Sequence, residues 1–183
     1  MHQTNRIIVS LLALTGIIIL WGTRPNLTPV AAAAVSAPTP RPNPHVLGCK
    51  MAQENKNVTE LIDLTNQERV KVRLPRLVED VRLDKAATLK AQDMTTYHYW
   101  AHVSPTGVQP WSWYTAVGYK YSYAGENLAD KYTTTNAAMS GWMASPGHKA
   151  NILNTHYTDI GMAVTCGVVE TTSTTLIVAE YGS

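Results

Sequence analysis

The sequence predicts an α+β domain behind a non-globular front section. Helical periods run near residues 58–72 and 80–94, two strand-like runs close the chain around a threonine-rich turn, and six of the ten prolines crowd between Gly22 and Asn55. With 183 residues there is room for one domain with a proper core. The expected division is 1–21 as an N-terminal signal or membrane anchor, 22–56 as a linker, and 57–183 as the domain.

Between Arg6 and Arg24 lies the uncharged run from Ile7 to Trp21. It falls short of the roughly 20 residues that span a bilayer comfortably, as a signal-peptide core does. The small-residue run Ala31–Ala34 lies well beyond the usual processing site, so an uncleaved anchor with Trp21 at the interface stands equally beside a cleaved signal. The Pro/Ala-rich segment after it, with Pro25, Pro29, Pro38, Pro40, Pro42 and Pro44, reads as a stiff, extended linker. Val46-Leu47-Gly48-Cys49 resembles a lipobox but sits too far from the apolar run.

Asn57-Val58-Thr59-Glu60 reads as a capping box opening a helix over 58–72, with Leu61, Ile62, Leu64 and Val72 apolar. Pro75 closes that segment, and Leu74, Leu77 and Val78 belong to the connection. Asp80 caps a second helix whose Leu83, Ala86, Ala87, Ala91 and Met94 form one stripe. The period breaks from Tyr97 to Gly107, where Pro105 and Gly107 enforce a loop of the kind that carries binding chemistry. Pro110 starts a short helix with Trp111, Trp113, Tyr114 and Val117, ended by Gly118. Tyr119, Tyr121 and Tyr123 alternate with polar residues, as in an extended segment leading to Glu126. A helix from Asn136 to Ala144 stops at Ser145-Pro146, and Ser145 caps a new short helix with His148 in its first turn. Residues 160–169 and 176–181 are strands, with Thr171–Thr175 as the tip between them.

The net charge of +2, without a cluster of Lys or Arg, excludes an electrostatic footprint for nucleic acid. Cys49 and Cys166 are the only cysteines, and no CxxC pair offers a structural zinc site. A disulfide outside the cytoplasm would tie linker to sheet. The parity of Cys166 with Ile160, Met162 and Val164 instead favours a buried free thiol.

The ordered set Thr65-Asn66-Gln67-Glu68-Arg69, His102-Val103-Ser104, Gly125-Glu126-Asn127-Leu128, Trp142 with Ser145-Pro146-Gly147-His148, Asn151-Ile152-Leu153 and Ile160-Gly161 resembles the CAP superfamily. That superfamily comprises the cysteine-rich secretory, antigen 5 and pathogenesis-related 1 proteins, also called SCP domains, and the likeness is to its bacterial, extracytoplasmic branch. The resemblance implies a three-layer α-β-α sandwich with a mixed or antiparallel sheet. It also implies a cleft lined by two histidines and two acidic residues. His102, Glu126 and His148 match three of these; Ser145 stands where the second acid would be. One carboxylate and two imidazoles can take Zn²⁺ with water in open positions, although a serine hydroxyl is a poor ligand.

Three functional readings follow. The first is a secreted or membrane-tethered binding module, acting on an extracellular or cell-envelope ligand through the His102, Glu126, His148 and Ser145 cleft. The second is a metal-dependent hydrolase of cell-wall or peptide substrates. A serine-triad version, with Ser104 as nucleophile, lacks an elbow sequence and an oxyanion hole. The third is lipid binding through the aromatic residues between Tyr97 and Tyr123, most of which are expected in the core because the chain has no Phe. His98 and His156 are assigned structural roles; His2 and His45 are assigned none.

Overall fold

The computed structural model describes residues 6–12, by their backbone, and residues 54–183. Five strands form one mixed sheet in the order β1-β3-β5-β4-β2: β1 Arg6–Leu12, β2 Val78–Glu79, β3 Ala124–Asp130, β4 Asp159–Val169 and β5 Thr172–Gly182. All pairings are antiparallel except β2 on β4, which is parallel. Helices α1 Glu54–Lys71, α2 Val81–Thr96, α3 Ser112–Ala116, α4 Thr135–Ala144 and α5 Pro146–Ile152 cover the two faces, giving the α-β-α sandwich.

Alternation along the strands sorts the core. Ile160, Met162, Val164, Ile177, Ala179 and Tyr181 pack with Leu61 and Ile62 of α1, Trp142 of α4 and Ile152 of α5. On the other face Leu128, Ala163, Leu176 and Val178 meet Ala87, Ala91 and Met94 of α2. Trp142 and Leu61 are fully buried, each large apolar side chain of this kind contributing about 2 kcal/mol. The alanines of α2 bring it close to the sheet, and Gly161 lies against the backbone of Leu83 and Asp84, leaving no room for a Cβ.

Several expectations hold at the residue level. Asp80 is the cap of α2 and its side chain accepts from the Arg82 N–H. The stripe Leu83, Ala86, Ala87, Ala91, Met94 is buried. Ser145 and Pro146 open α5, although the Ser145 side chain makes no capping bond.

Others need correction. Helix α1 begins at Glu54, so Asn57 lies inside it and not at its cap, and Val72 lies beyond its end and is exposed. Tyr119, Tyr121 and Tyr123 precede β3; Tyr119 and Tyr121 pack edge-on against Tyr114, at 5.6 and 5.3 Å between ring centres. Their alternation reflects that ring cluster. The β4–β5 turn is only Glu170-Thr171, with Glu170 at φ 53°, because β5 already starts at Thr172. Cys166 is half-buried and disulfide-bonded, not a buried free thiol; the one other cysteine in the chain is Cys49, outside the described residues.

Residues 6–12, the start of the apolar run, form an edge strand on β3, in keeping with their β-branched content. Residues 13–21 of the run and the linker to residue 53 lie outside the described residues. Among the described residues no helix is long and apolar enough to cross a membrane.

Candidate functional site

Strand β3 is buried along its whole length, and alternation sends consecutive side chains to different layers. Glu126 points to the α2–α3 side. There its Oε1 meets Nδ1 of His102 in a short hydrogen bond, with Glu126 fully buried and the His102 side chain 11% exposed. In the neutral ring, a carboxylate facing Nδ1 selects the tautomer in which Nδ1–H donates and Nε2 is left as an acceptor. The Nε2 atom is shielded from solvent and has no hydrogen-bond partner.

Glu180 of β5 stands directly opposite Glu126 in the strand register. Burial, and then the charge of Glu126, push Glu180 well above the ordinary carboxylate range. Oε2 of Glu126 and Oε1 of Glu180 are buried without a hydrogen-bond partner. The other Glu180 oxygen accepts from Tyr114 Oη at 3.0 Å. Tyr114, fully buried on α3, also lies within bonding distance of the Gly125 and Tyr181 carbonyls. Two hydrogen-bonded pairs, His102 with Glu126 and Tyr114 with Glu180, therefore stand on neighbouring strands with the two carboxyl residues opposite each other.

The loop bearing His102 is held from below by Lys90. Its Nζ donates to Tyr99 Oη at 3.0 Å, Ala101 O at 2.8 Å and His102 O at 2.7 Å, and Tyr99 in turn donates to Asp93. Burial lowers the Lys90 pKa, opposed by the carboxyl groups around it, Glu126 first. At the loop's tip Ser104 Oγ pairs with Thr106 Oγ1 and accepts from the Thr106 and Val108 N–H groups, while Gly107 takes φ 84°. The serine hydroxyl thus closes a turn, with no general base beside it.

Of the residues singled out from sequence, the structure joins His102 to Glu126. His148 is buried on α5, and its backbone carbonyl accepts from Asn127, whose side chain points away from the Glu126 layer. Ser145 sits at the junction of α4 and α5. Among the described residues no group of three His, Cys, Asp or Glu side chains is arranged to hold a metal ion. With Glu126 Oε1 committed to His102 Nδ1, the zinc set does not fit this arrangement.

Lys90 and Glu180 were missed from sequence, though each left a signal. Lys90 occupies the apolar stripe of α2 three and four residues after Ala87 and Ala86, and Glu180 interrupts an otherwise apolar central strand. His98 and His156 have structural contacts: His98 Nδ1 lies 3.0 Å from the Val168 carbonyl and His156 stacks on Tyr123. Two concavities open elsewhere, one over β4 between Val58, Asp84, Gln92 and Val164, the other beside α1 near Asp63, Gln67 and Asn136.

The Bacillus subtilis protein YkwD is 41% identical over 103 residues, 56% of this chain and 40% of YkwD. The membrane protein YlbC of the same organism is 34% identical over 105 residues, 57% of this chain and 30% of its own length. The chain thus spans less than half the length of these curated relatives. Among solved structures, an extracellular protein containing an SCP domain from Bacillus anthracis matches with TM-score 0.61 and 30% identity over 70% of this chain and 41% of that one. An outer surface protein of Borrelia burgdorferi shares the fold, with TM-score 0.64 and 23% identity over 75% of this chain and 98% of that one. Residues 62–180 match the family model described as CAP, cysteine-rich secretory protein family, and the chain belongs to that family.

Proposed function

We propose that this protein is an extracytoplasmic binding module whose ligand engages Nε2 of His102. One observation carries the reading: His102 Nε2 is buried and unpartnered on a ring held in place by Glu126, whose own Oε2 is also buried and unpartnered. Leaving such an atom without a partner costs about 1–3 kcal/mol, which a ligand N–H or O–H recovers on binding. Location outside the cytoplasm is supported by the extracellular SCP-domain relative and by the membrane-protein relative.

The hydrolase alternative has less to stand on. Ser104 is committed to its turn and Glu126 to His102, so neither is available as nucleophile or base. Lipid binding through aromatic residues keeps fewer candidates, because Tyr99, Tyr114 and Tyr119 are buried, Trp100, Trp111, Trp113 and Tyr121 are half-buried, and Tyr97 and Tyr123 are exposed.

Co-sedimentation of the full chain with purified bacterial cell-wall sacculi tests the proposal. His102→Ala is expected to weaken retention by about tenfold, the equivalent of roughly 1.4 kcal/mol, while near-ultraviolet circular dichroism stays unchanged. Equal retention of variant and wild type removes His102 from the site. Soluble wall fragments released by wild type and not by His102→Ala would move the protein to the hydrolase class.

A further inference from the structure

We propose that the outer edge of β3 is a peptide-docking site for an extended, apolar-patterned strand running antiparallel to Ala124–Asp130, and that residues 6–12 fill it in the present structure. The proposal stands on the backbone of β3 and does not require the His102 ring.

Tyr123 and Ser183 exchange both backbone hydrogen bonds, at 3.3 and 3.2 Å. Continued through the register 125↔181, 127↔179 and 129↔177, this directs the N–H and C=O groups of the odd-numbered β3 residues toward β5. Ala124, Glu126 and Leu128 turn theirs the other way. Their carbonyls are already engaged from the helical layer: Tyr157 Oη donates to Ala124 O at 3.0 Å, Asn151 Nδ2 to Glu126 O at 3.2 Å, and Trp142 Nε1 to Leu128 O at 3.2 Å. Each of these carbonyls takes one side-chain bond and keeps a second lone pair, so the edge presents alternating outward amide donors and acceptors that another strand can match along its length.

The occupant seen here shows what fits. Arg6–Leu12 runs antiparallel, with Leu12 opposite Ala124, Ser10 opposite Glu126 and Ile8 opposite Leu128. Its sequence, Arg-Ile-Ile-Val-Ser-Leu-Leu, is uncharged after the first residue. Main-chain pairing supplies affinity in such strand addition, and alternate side chains supply selectivity. If residues 6–12 serve as an export signal or anchor, processing or membrane insertion withdraws them and opens this edge. Glu126 then offers its main chain to the incoming strand while its side chain holds His102.

The test uses the full chain in mild detergent. Ile8→Pro removes an N–H that faces Leu128 and is expected to raise hydrogen exchange at the Glu126 and Leu128 amides by about tenfold or more, while the central β5 amides keep their protection. A synthetic peptide with the sequence of residues 6–12, added in trans, should bind this variant one-to-one and restore protection. The same peptide N-methylated at the positions of Ile8 and Ser10 should not. Ser10→Pro provides a second variant with the same expectation. The proposal is overturned by unchanged exchange in both variants, by loss of β5 protection along with β3, or by failure of the peptide to bind. Binding of the N-methylated peptide would reveal apolar adhesion instead of strand pairing, and a concentration-dependent dimer of the variants would assign the edge to a second copy; both also overturn it.

Discussion

Glu126 and Asn127 are neighbours on one strand, both fully buried, yet they live in different chemical environments. Asn127 faces the α1, α4 and α5 layer. Its amide donates to the His148 carbonyl and lies 3.3 Å from Tyr181 Oη, and its carbonyl oxygen accepts from Asn151 at 2.8 Å. Both groups of its amide are matched, and those bonds join helix to sheet. Glu126 faces a layer with two carboxyls, a lysine and an imidazole, where His102 Nε2, Glu126 Oε2 and Glu180 Oε1 are buried without a partner. Matched groups rigidify a fold, whereas an ionisable set with open positions stores interaction energy for something not yet bound.

If that contrast is right, damage to the Asn127 layer should cost stability and spare binding, and damage to the Glu126 layer should do the reverse. The largest effect is expected from Arg69, buried on α1, whose guanidinium donates to the carbonyls of Pro75, Ile152 and Asn154 at 2.8–2.9 Å and so ties α1 to the end of α5. Arg69→Ala should lose about 3 kcal/mol in urea unfolding, since one buried and two partly buried carbonyls lose their donor. A loss below about 1 kcal/mol would show that this layer is not what holds the fold. Asn127→Ala should cost about 2–3 kcal/mol while leaving the nitrogen-15 shifts of the His102 ring in place. A changed His102 signal would mean that the two layers are coupled through the strand.

The smallest stability effect is expected at Glu180. The folded protein holds this proton more tightly than the unfolded chain, because burial and the Glu126 charge oppose ionisation. The stability so conferred is complete below about pH 4, the unfolded carboxyl value, and is lost as pH rises toward the folded-state pKa. Glu180→Gln fixes the neutral form. It should change stability by less than about 1 kcal/mol at low pH and flatten the decline above it, as read from urea midpoints across the acidic and neutral range. An undiminished slope would place that titration on another group.

Much of the frame was legible in the residues. Asp80, the α2 stripe and the Ser145-Pro146 junction encode local structure through capping, period and proline sterics, and each needs only a few neighbouring residues to be read. The ordered motifs then located Glu126 and His102. What could not be read locally was pairing across distance. The Glu126–Glu180 opposition depends on register between strands 54 positions apart, and the bond from Asn127 to the His148 carbonyl depends on how α5 sits on β3. The short strand β2 has two residues and no period to betray it. Asn57 failed as a cap because the helix continues upstream through Glu54, where charged and polar residues show no apolar rhythm. Lys90 was visible as an anomaly on an apolar stripe, but its meaning required the loop carbonyls of Ala101 and His102 above it.

The bonded state of Cys166 has a mechanical consequence. Cys166 lies in β4, which is hydrogen-bonded to β5 over eleven register pairs. Tension that enters the domain through its disulfide would load that ladder in shear, the direction in which its bonds resist together, and reduction of the bond would remove this point of attachment without altering the site at His102.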